Sequence, residues 1–108
     1  MSKRQAKINI TGRVQGVGFR PFIYRMAVRN KLLGYVINLG DAGVEIIVEG
    51  SEKDIERFLV DVEENAPEVS EIEGVKTEYR EYTGNYSNFI IDKSKKTGKV
   101  ASGIYPPD

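Results

Sequence analysis

The chain has 108 residues, enough for one compact domain, and 30% of them are charged, as in an ordinary globular protein. It contains no Cys, His or Trp, which excludes a disulfide framework, a thiolate nucleophile, a Ser-His-Asp triad and an imidazole general base. Its formal net charge is zero. Any chemistry must therefore come from carboxylates, Arg, Lys, Tyr, amides, the backbone or the substrate itself.

The balanced net charge hides a segregation along the chain. Residues 1–40 hold three Lys and five Arg without an acid, residues 41–92 hold fifteen acids against four bases, and residues 93–108 hold four Lys and one Asp. This pattern indicates either a localised anion site, a nucleic-acid face, or surface charge that mixes in three dimensions. The absence of a long apolar run and of a secretion-signal pattern predicts a cytoplasmic protein with no membrane partner.

Hydrophobic periodicity predicts the order strand, helix, strand, strand, helix, strand and a short extra strand. The predicted strands span residues 7–14, 35–39, 44–49, 72–82 and 88–92, and the first predicted helix spans residues 22–33. Gly34 is expected to end that helix. The second helix is expected to begin after Ser51, which forms a capping-box pattern with Asp54, and to end before Pro67.

Two strand–helix units joined by a hairpin predict an α+β, ferredoxin-like split βαβ fold (βαββαβ). In this fold an antiparallel sheet carries both helices on one face, here with a short extra strand. We expect one domain over residues 1–92 and a tail or linker over residues 93–108. The aromatic residues Phe22, Tyr24, Phe58 and Phe89 are expected in the core or in partly buried packing rather than in a stacking platform. The acids of residues 45–81 are expected on solvated faces.

The most informative stretch is Gln15-Gly-Val-Gly-Phe-Arg20, between the first strand and the first helix. Two glycines allow the backbone to curl with its N–H groups pointing inward, and the helix that follows presents the positive end of its dipole. Arg20 adds a guanidinium that can hold two phosphate oxygens. The pattern is neither a P-loop nor a dinucleotide fingerprint. It predicts a phosphate cradle or, alternatively, a tight turn with a solvated Arg20.

Three segments of the sequence resemble the acylphosphatase family: Gly12-Arg-Val-Gln-Gly-Val-Gly-Phe-Arg20, Gly34-Tyr-Val-Ile-Asn38 and Gly43-Val-Glu-Ile-Ile-Val-Glu-Gly50. The resemblance covers about residues 6–92. It implies hydrolysis of the carboxyl–phosphate bond of a small acyl phosphate by direct water attack, without a metal or a covalent intermediate. We also expect a monomer that uses no cofactor.

The same resemblance implies a role for each site residue. Arg20 would bind the phosphoryl group and Asn38 would position the attacking water. The backbone of Gln15, Gly16, Val17, Gly18 and Phe19 would complete the phosphate cradle. The alternative for Asn38 is a polar residue that hydrogen-bonds the backbone at a hairpin turn.

Further segments are similar to the N-terminal domain of hydrogenase maturation carbamoyltransferases, which handles carbamoyl phosphate. They are Phe19-Arg-Pro-Phe-Ile-Tyr-Arg-Met-Ala27, Asp41-Ala-Gly-Val-Glu45, Phe89-Ile-Ile-Asp-Lys-Ser94 and Tyr105-Pro-Pro-Asp108. The Cys-x-x-Cys zinc modules that follow in that family are absent from this sequence. The chain is thus expected to be either a stand-alone enzyme or a domain whose partner is the rest of a larger maturation protein.

Other functions remain as alternatives. An RNA-recognition module has the same order of elements, but it needs exposed aromatics on its central strands, where this chain offers Ile8, Ile10 and residues 44–49. We therefore expect no nucleic-acid partner. A catalytically silent phosphate-binding domain would keep the motif without turnover. Asp41 and Glu45 form either a metal or acid/base pair or, as we expect, ordinary surface charge.

Overall fold

The segments with alternating apolar residues form five strands, and the segments with helical apolar spacing form two α-helices. A computed structural model describes residues 2–15 and 18–95. The strands are β1 (Lys3–Arg13), β2 (Leu33–Asn38), β3 (Val44–Ser51), β4 (Glu71–Glu81) and β5 (Phe89–Lys95). The helices are α1 (Phe19–Arg29) and α2 (Glu52–Asn65), and a short 3-10 turn spans Gly40–Ala42.

The strands form one sheet in the order β4-β1-β3-β2-β5. β3 is antiparallel to both β1 and β2, and β4 is antiparallel to β1, whereas β5 joins the edge parallel to β2. The first four strands have the order of the split βαβ fold, so the ferredoxin-like prediction is confirmed. The extra strand is also present, and it extends to Lys95, so the predicted domain boundary at residue 92 falls inside β5. The predicted tail from residue 96 onward lies outside the described residues.

The core lies between the sheet and the two helices. Its buried members include alternate residues of the central strands and one stripe of each helix: Ala6, Ile8, Ile10, Val44, Ile46, Val48, Phe22, Ile23, Ala27, Ile55, Phe58 and Val62. Ser51 caps α2 as predicted, because its Oγ accepts a hydrogen bond of 3.1 Å from the Asp54 N–H. Of the four aromatic residues, Phe22, Phe58 and Phe89 are buried, and Tyr24, 40% exposed, packs against Phe89.

Helix α1 begins and ends earlier than the predicted span 22–33. Its end is a hydrogen-bonded turn in which Lys31 adopts a left-handed φ of 63°. The Leu32 N–H then donates to the Ala27 carbonyl at 2.9 Å. This is the 6→1 hydrogen bond of a Schellman motif. Gly34, predicted to end the helix, is already part of β2. The prediction was wrong because a lysine takes the conformation that usually selects glycine.

The sheet face opposite the helices carries two buried acids, Glu45 and Glu49, which are 5% and 1% exposed. The expectation that these acids are solvated was therefore wrong. The Tyr35 hydroxyl donates to Glu45 at 3.0 Å. Burial beside Glu45 raises the pKa of Tyr35 well above its usual value.

Glu49 anchors the segment that crosses from β4 to β5. Its carboxylate accepts hydrogen bonds from the Gln5 amide (2.7 Å), the Thr83 hydroxyl (2.7 Å), the Thr83 N–H (3.0 Å) and the Gly84 N–H (3.0 Å). Burial alone would raise the pKa of Glu49, but these hydrogen bonds outweigh it, so the pKa lies below its usual value. On the same face, the two central strands present residues 5, 7, 9, 45, 47 and 49, none of which is aromatic, in contrast to an RNA-recognition sheet.

Candidate active site

Three chain segments end at one edge of the sheet. β1 and β2 are each antiparallel to β3, so they run in the same direction, and β5 runs parallel to β2. The residues that follow β1, the last residue of β2 and the end of β5 therefore lie along the same edge. This topology places Gln15, Asn38 and Lys93 on one side of the molecule, where α1 begins.

The start of α1 has the features of an anion site. Gly18 is its N-cap, with a left-handed φ of 76°, and within the described residues no side chain caps the helix and its first turn holds no acid. Phe19 is buried and anchors the turn, and Pro21 has no N–H. The first N–H groups, including those of Phe19 and Arg20, therefore have no partner within the helix. Gly16 and Val17, two residues of the predicted cradle, lie outside the described part of the chain.

Asn38 ends β2 and begins a closed hairpin turn. Its Oδ1 accepts a hydrogen bond of 2.8 Å from the Gly40 N–H, and the Leu39 N–H donates to the Gly43 carbonyl at 2.8 Å. Since the partner of the side chain is a backbone donor, the bonded atom is the amide oxygen, and the Nδ2 group is left to point elsewhere. The alternative interpretation of Asn38 as a turn residue is thus correct for its oxygen, and within residues 2–15 and 18–95 its nitrogen has no hydrogen-bond partner.

The side chain of Gln15 joins this hairpin to the start of the loop that leads to Arg20. Its Nε2 donates to the carbonyls of Gly40 (2.8 Å) and Gly43 (3.0 Å). Gly43 itself sits against β1, where a Cβ would lie 2.0 Å from the Ile10 carbonyl oxygen. Sequence reasoning assigned only the backbone of Gln15, and nothing in the local pattern indicates that its amide bridges 25 residues.

Arg20 is half-buried and borders a cavity between the first turn of α1 and the end of β5. The other residues that line this cavity are Pro21, Ile91 and Lys93. Sequence reasoning placed Lys93 in a tail, so its position beside Arg20 is a finding of the tertiary structure. Asp41, by contrast, is exposed on the 3-10 turn. Within residues 2–15 and 18–95, no group of three or more acidic side chains is placed to hold a metal ion.

The acylphosphatase family model matches residues 6–91. The chain belongs to the acylphosphatase family. It is 35% identical over 91 residues to an acylphosphatase of Syntrophotalea carbinolica, a match that covers 84% of this chain and 98% of the relative. The crystal structure of an acylphosphatase from Bacillus subtilis superposes with a TM-score of 0.77 at 35% identity, over 82% of this chain and 98% of that one.

A longer relative matches almost the whole chain. The probable carbamoyltransferase HypF of Methanocaldococcus jannaschii is 40% identical over 106 residues, which is 98% of this chain. The chain spans only 14% of the length of that relative. The similarity to hydrogenase maturation carbamoyltransferases is confirmed as a similarity of one domain. No helix in the described part of the chain is long and apolar enough to cross a membrane.

Proposed function

We propose that this acylphosphatase hydrolyses acyl phosphates at the edge where α1 begins, with Arg20 holding the phosphoryl group and Asn38 orienting the attacking water. The activity follows from the family match and from relatives named acylphosphatase that align over nearly their full length. The observation that carries the choice of residues is the pair of Gln15 hydrogen bonds. They join the loop leading to Arg20 to the turn that begins at Asn38.

The start of α1 offers hydrogen-bond donors and positive charge to a phosphoryl dianion. The first N–H groups of α1, which have no partner within the helix, and the positive end of the helix dipole favour an anion at this point. Arg20 adds a planar guanidinium that can bind two oxygens at once. Asn38 cannot act as a base, but its Nδ2 group can donate a hydrogen bond to a water and hold it near phosphorus.

An acyl phosphate is an activated anhydride, so positioning and charge stabilisation suffice for catalysis. The water oxygen bonds to phosphorus, the bond from phosphorus to the acyl oxygen breaks, and the electron pair leaves with the carboxylate. The water proton passes to an oxygen of the phosphate, so that the products are a carboxylate and dihydrogen phosphate. This route needs no protein base, which agrees with a sequence that has neither His nor Cys.

A second candidate is a carbamoyl-phosphate-handling domain of a larger carbamoyltransferase. The observation that favours it is coverage, because the HypF relative matches 98% of this chain whereas the Syntrophotalea acylphosphatase matches 84%. Carbamoyl phosphate is itself an acyl phosphate, and the same cradle would bind it. A kcat/KM at least tenfold higher for carbamoyl phosphate than for acetyl or benzoyl phosphate would favour this candidate, and equal values would favour the general acylphosphatase.

The test of the site compares Arg20→Ala with Arg25→Ala on all three substrates. Arg25 is an exposed arginine of the same helix, so its variant carries the same change in net charge. We expect Arg20→Ala to lose about 10²–10³ in kcat/KM, the usual loss for a group that binds the developing charge, and Arg25→Ala to stay near the wild type. An Arg20→Ala enzyme with normal kinetics would show that the site lies elsewhere. A wild type inactive on all three substrates would favour the silent domain.

A further inference from the structure

The cavity beside Arg20 is a place for the rest of the substrate. It lies where α1 crosses β5, a packing fixed by the rings of Tyr24 and Phe89, whose centroids are 6.2 Å apart. Ile91 and Lys93 of β5 both line the cavity, and the ladder with β2 has a bulge between Asp92 and Lys95. A ligand held by Arg20 therefore lies close to the other lining residues, Pro21, Ile91 and Lys93.

Two positively charged residues, Arg20 and Lys93, line this cavity. Among residues 2–15 and 18–95, neither Arg20 nor Lys93 forms an ion pair. One cation serves the phosphoryl group in the proposed site. The second, Lys93, belongs to β5, which also contributes the apolar side chain of Ile91. This arrangement suits a ligand with an anionic head, an apolar body and an oxygen that gains negative charge.

We propose that this cavity is the acyl subsite and that Lys93 contacts the carboxyl group of the acyl phosphate, an inference that rests on the proposed function. In the reaction the bond between phosphorus and the acyl oxygen breaks, and the carboxyl group keeps the electron pair. It changes from a nearly neutral ester-like group to a carboxylate. An ammonium group beside it interacts more strongly with the transition state than with the ground state, so Lys93 raises kcat.

The test uses a series of para-substituted benzoyl phosphates, whose leaving carboxylic acids differ in pKa but not in shape at the reacting end. The variants are Lys93→Gln, Lys93→Arg and, as the matched control, Lys76→Gln on the exposed outer face of β4. We expect Lys93→Gln to lower kcat by about two- to fivefold, the value of one exposed charge contact. Its plot of log kcat against the pKa of the leaving acid should be steeper, since the poorest leaving groups depend most on the cation.

Lys93→Arg, which keeps the charge, should restore the wild-type slope, and Lys76→Gln should not change it. Inhibition by inorganic phosphate should be the same in Lys93→Gln and the wild type, because the phosphoryl group is held by other residues. An unchanged slope would overturn the proposal. If inhibition by phosphate weakens instead, Lys93 is a second phosphate ligand, which also overturns it. Normal activity of Arg20→Ala would refute the proposed function, whereas a normal Lys93→Gln beside an inactive Arg20→Ala would refute only the acyl subsite.

Discussion

Asn38 has a structural role and a catalytic role in the proposed site, and two substitutions distinguish these roles. Its Oδ1 accepts the Gly40 N–H at 2.8 Å, which shapes the hairpin turn, and its Nδ2 group is the part assigned to the water. Asn38→Asp keeps an oxygen acceptor for Gly40 but removes both N–H donors and adds a negative charge. Asn38→Ala removes the acceptor and the donors together.

The expected sizes of the two effects differ. The hydrogen bond to Gly40 is half-buried and contributes about 0.5–1.5 kcal/mol to the free energy of unfolding. Asn38→Ala should lose this amount, and Asn38→Asp should be close to the wild type. Both variants should lose about 10²–10³ in kcat, because a donor aimed at the reacting atoms is absent. Asn38→Asp should also bind inorganic phosphate more weakly, since its carboxylate faces an anion.

Urea denaturation measures the stability change, and hydrolysis of benzoyl phosphate with inhibition by inorganic phosphate measures the site. Asn85→Asp is the matched control, because Asn85 is exposed in the loop between β4 and β5 and its variant carries the same added charge. If Asn38→Asp hydrolyses the substrate within threefold of the wild-type rate, the amide nitrogen does not position the water. An Asn38→Ala protein as stable as the wild type would show that the bond to Gly40 contributes nothing.

Two further predictions follow from the other side chains that join distant parts of the chain. Gln15→Leu removes the hydrogen bonds to the carbonyls of Gly40 and Gly43. We expect it to lower the free energy of unfolding by about 1–3 kcal/mol and also to lower kcat/KM. Unchanged kinetics in a stably folded variant would show that these hydrogen bonds do not position the site. Glu49→Gln places an amide against the donors of Thr83 and Gly84 and should cost about 1.5–3 kcal/mol at pH 7, the range for hydrogen bonds to a charged group. Because the folded-state pKa of Glu49 lies below its unfolded value of about 4.5, its contribution is complete above that pH and is lost as the pH falls through the folded-state pKa. Urea unfolding at pH 7, 5 and 3 should therefore show a difference between wild type and variant that shrinks only at the lowest pH, and a difference that is constant over this range would contradict the assignment.

Much of the fold was predictable because its signals are local. Alternating and helical apolar patterns specify β1 to β5, α1 and α2 within a few residues, and the order of the first four strands follows from two strand–helix units and a hairpin. The glycine turn before Arg20 and the position of Asn38 at the end of a strand are likewise visible in short stretches. Where the local signal misled, as at Lys31, a residue took a backbone conformation that its type rarely adopts.

The sequence by itself determined the family, the chemistry that is excluded and the motif that points to a phosphoryl group. Only the tertiary structure decided which side chains meet across the chain. The Gln15 amide reaches carbonyls 25 and 28 residues away, and Glu49 binds donors at Thr83 and Gly84. Lys93 lines the same cavity as Arg20 because β5 pairs with the edge strand β2. Such contacts depend on strand order and register, which no single segment encodes. They also depend on burial, because Glu49 lies buried where it accepts hydrogen bonds from a distant segment rather than on the solvated surface.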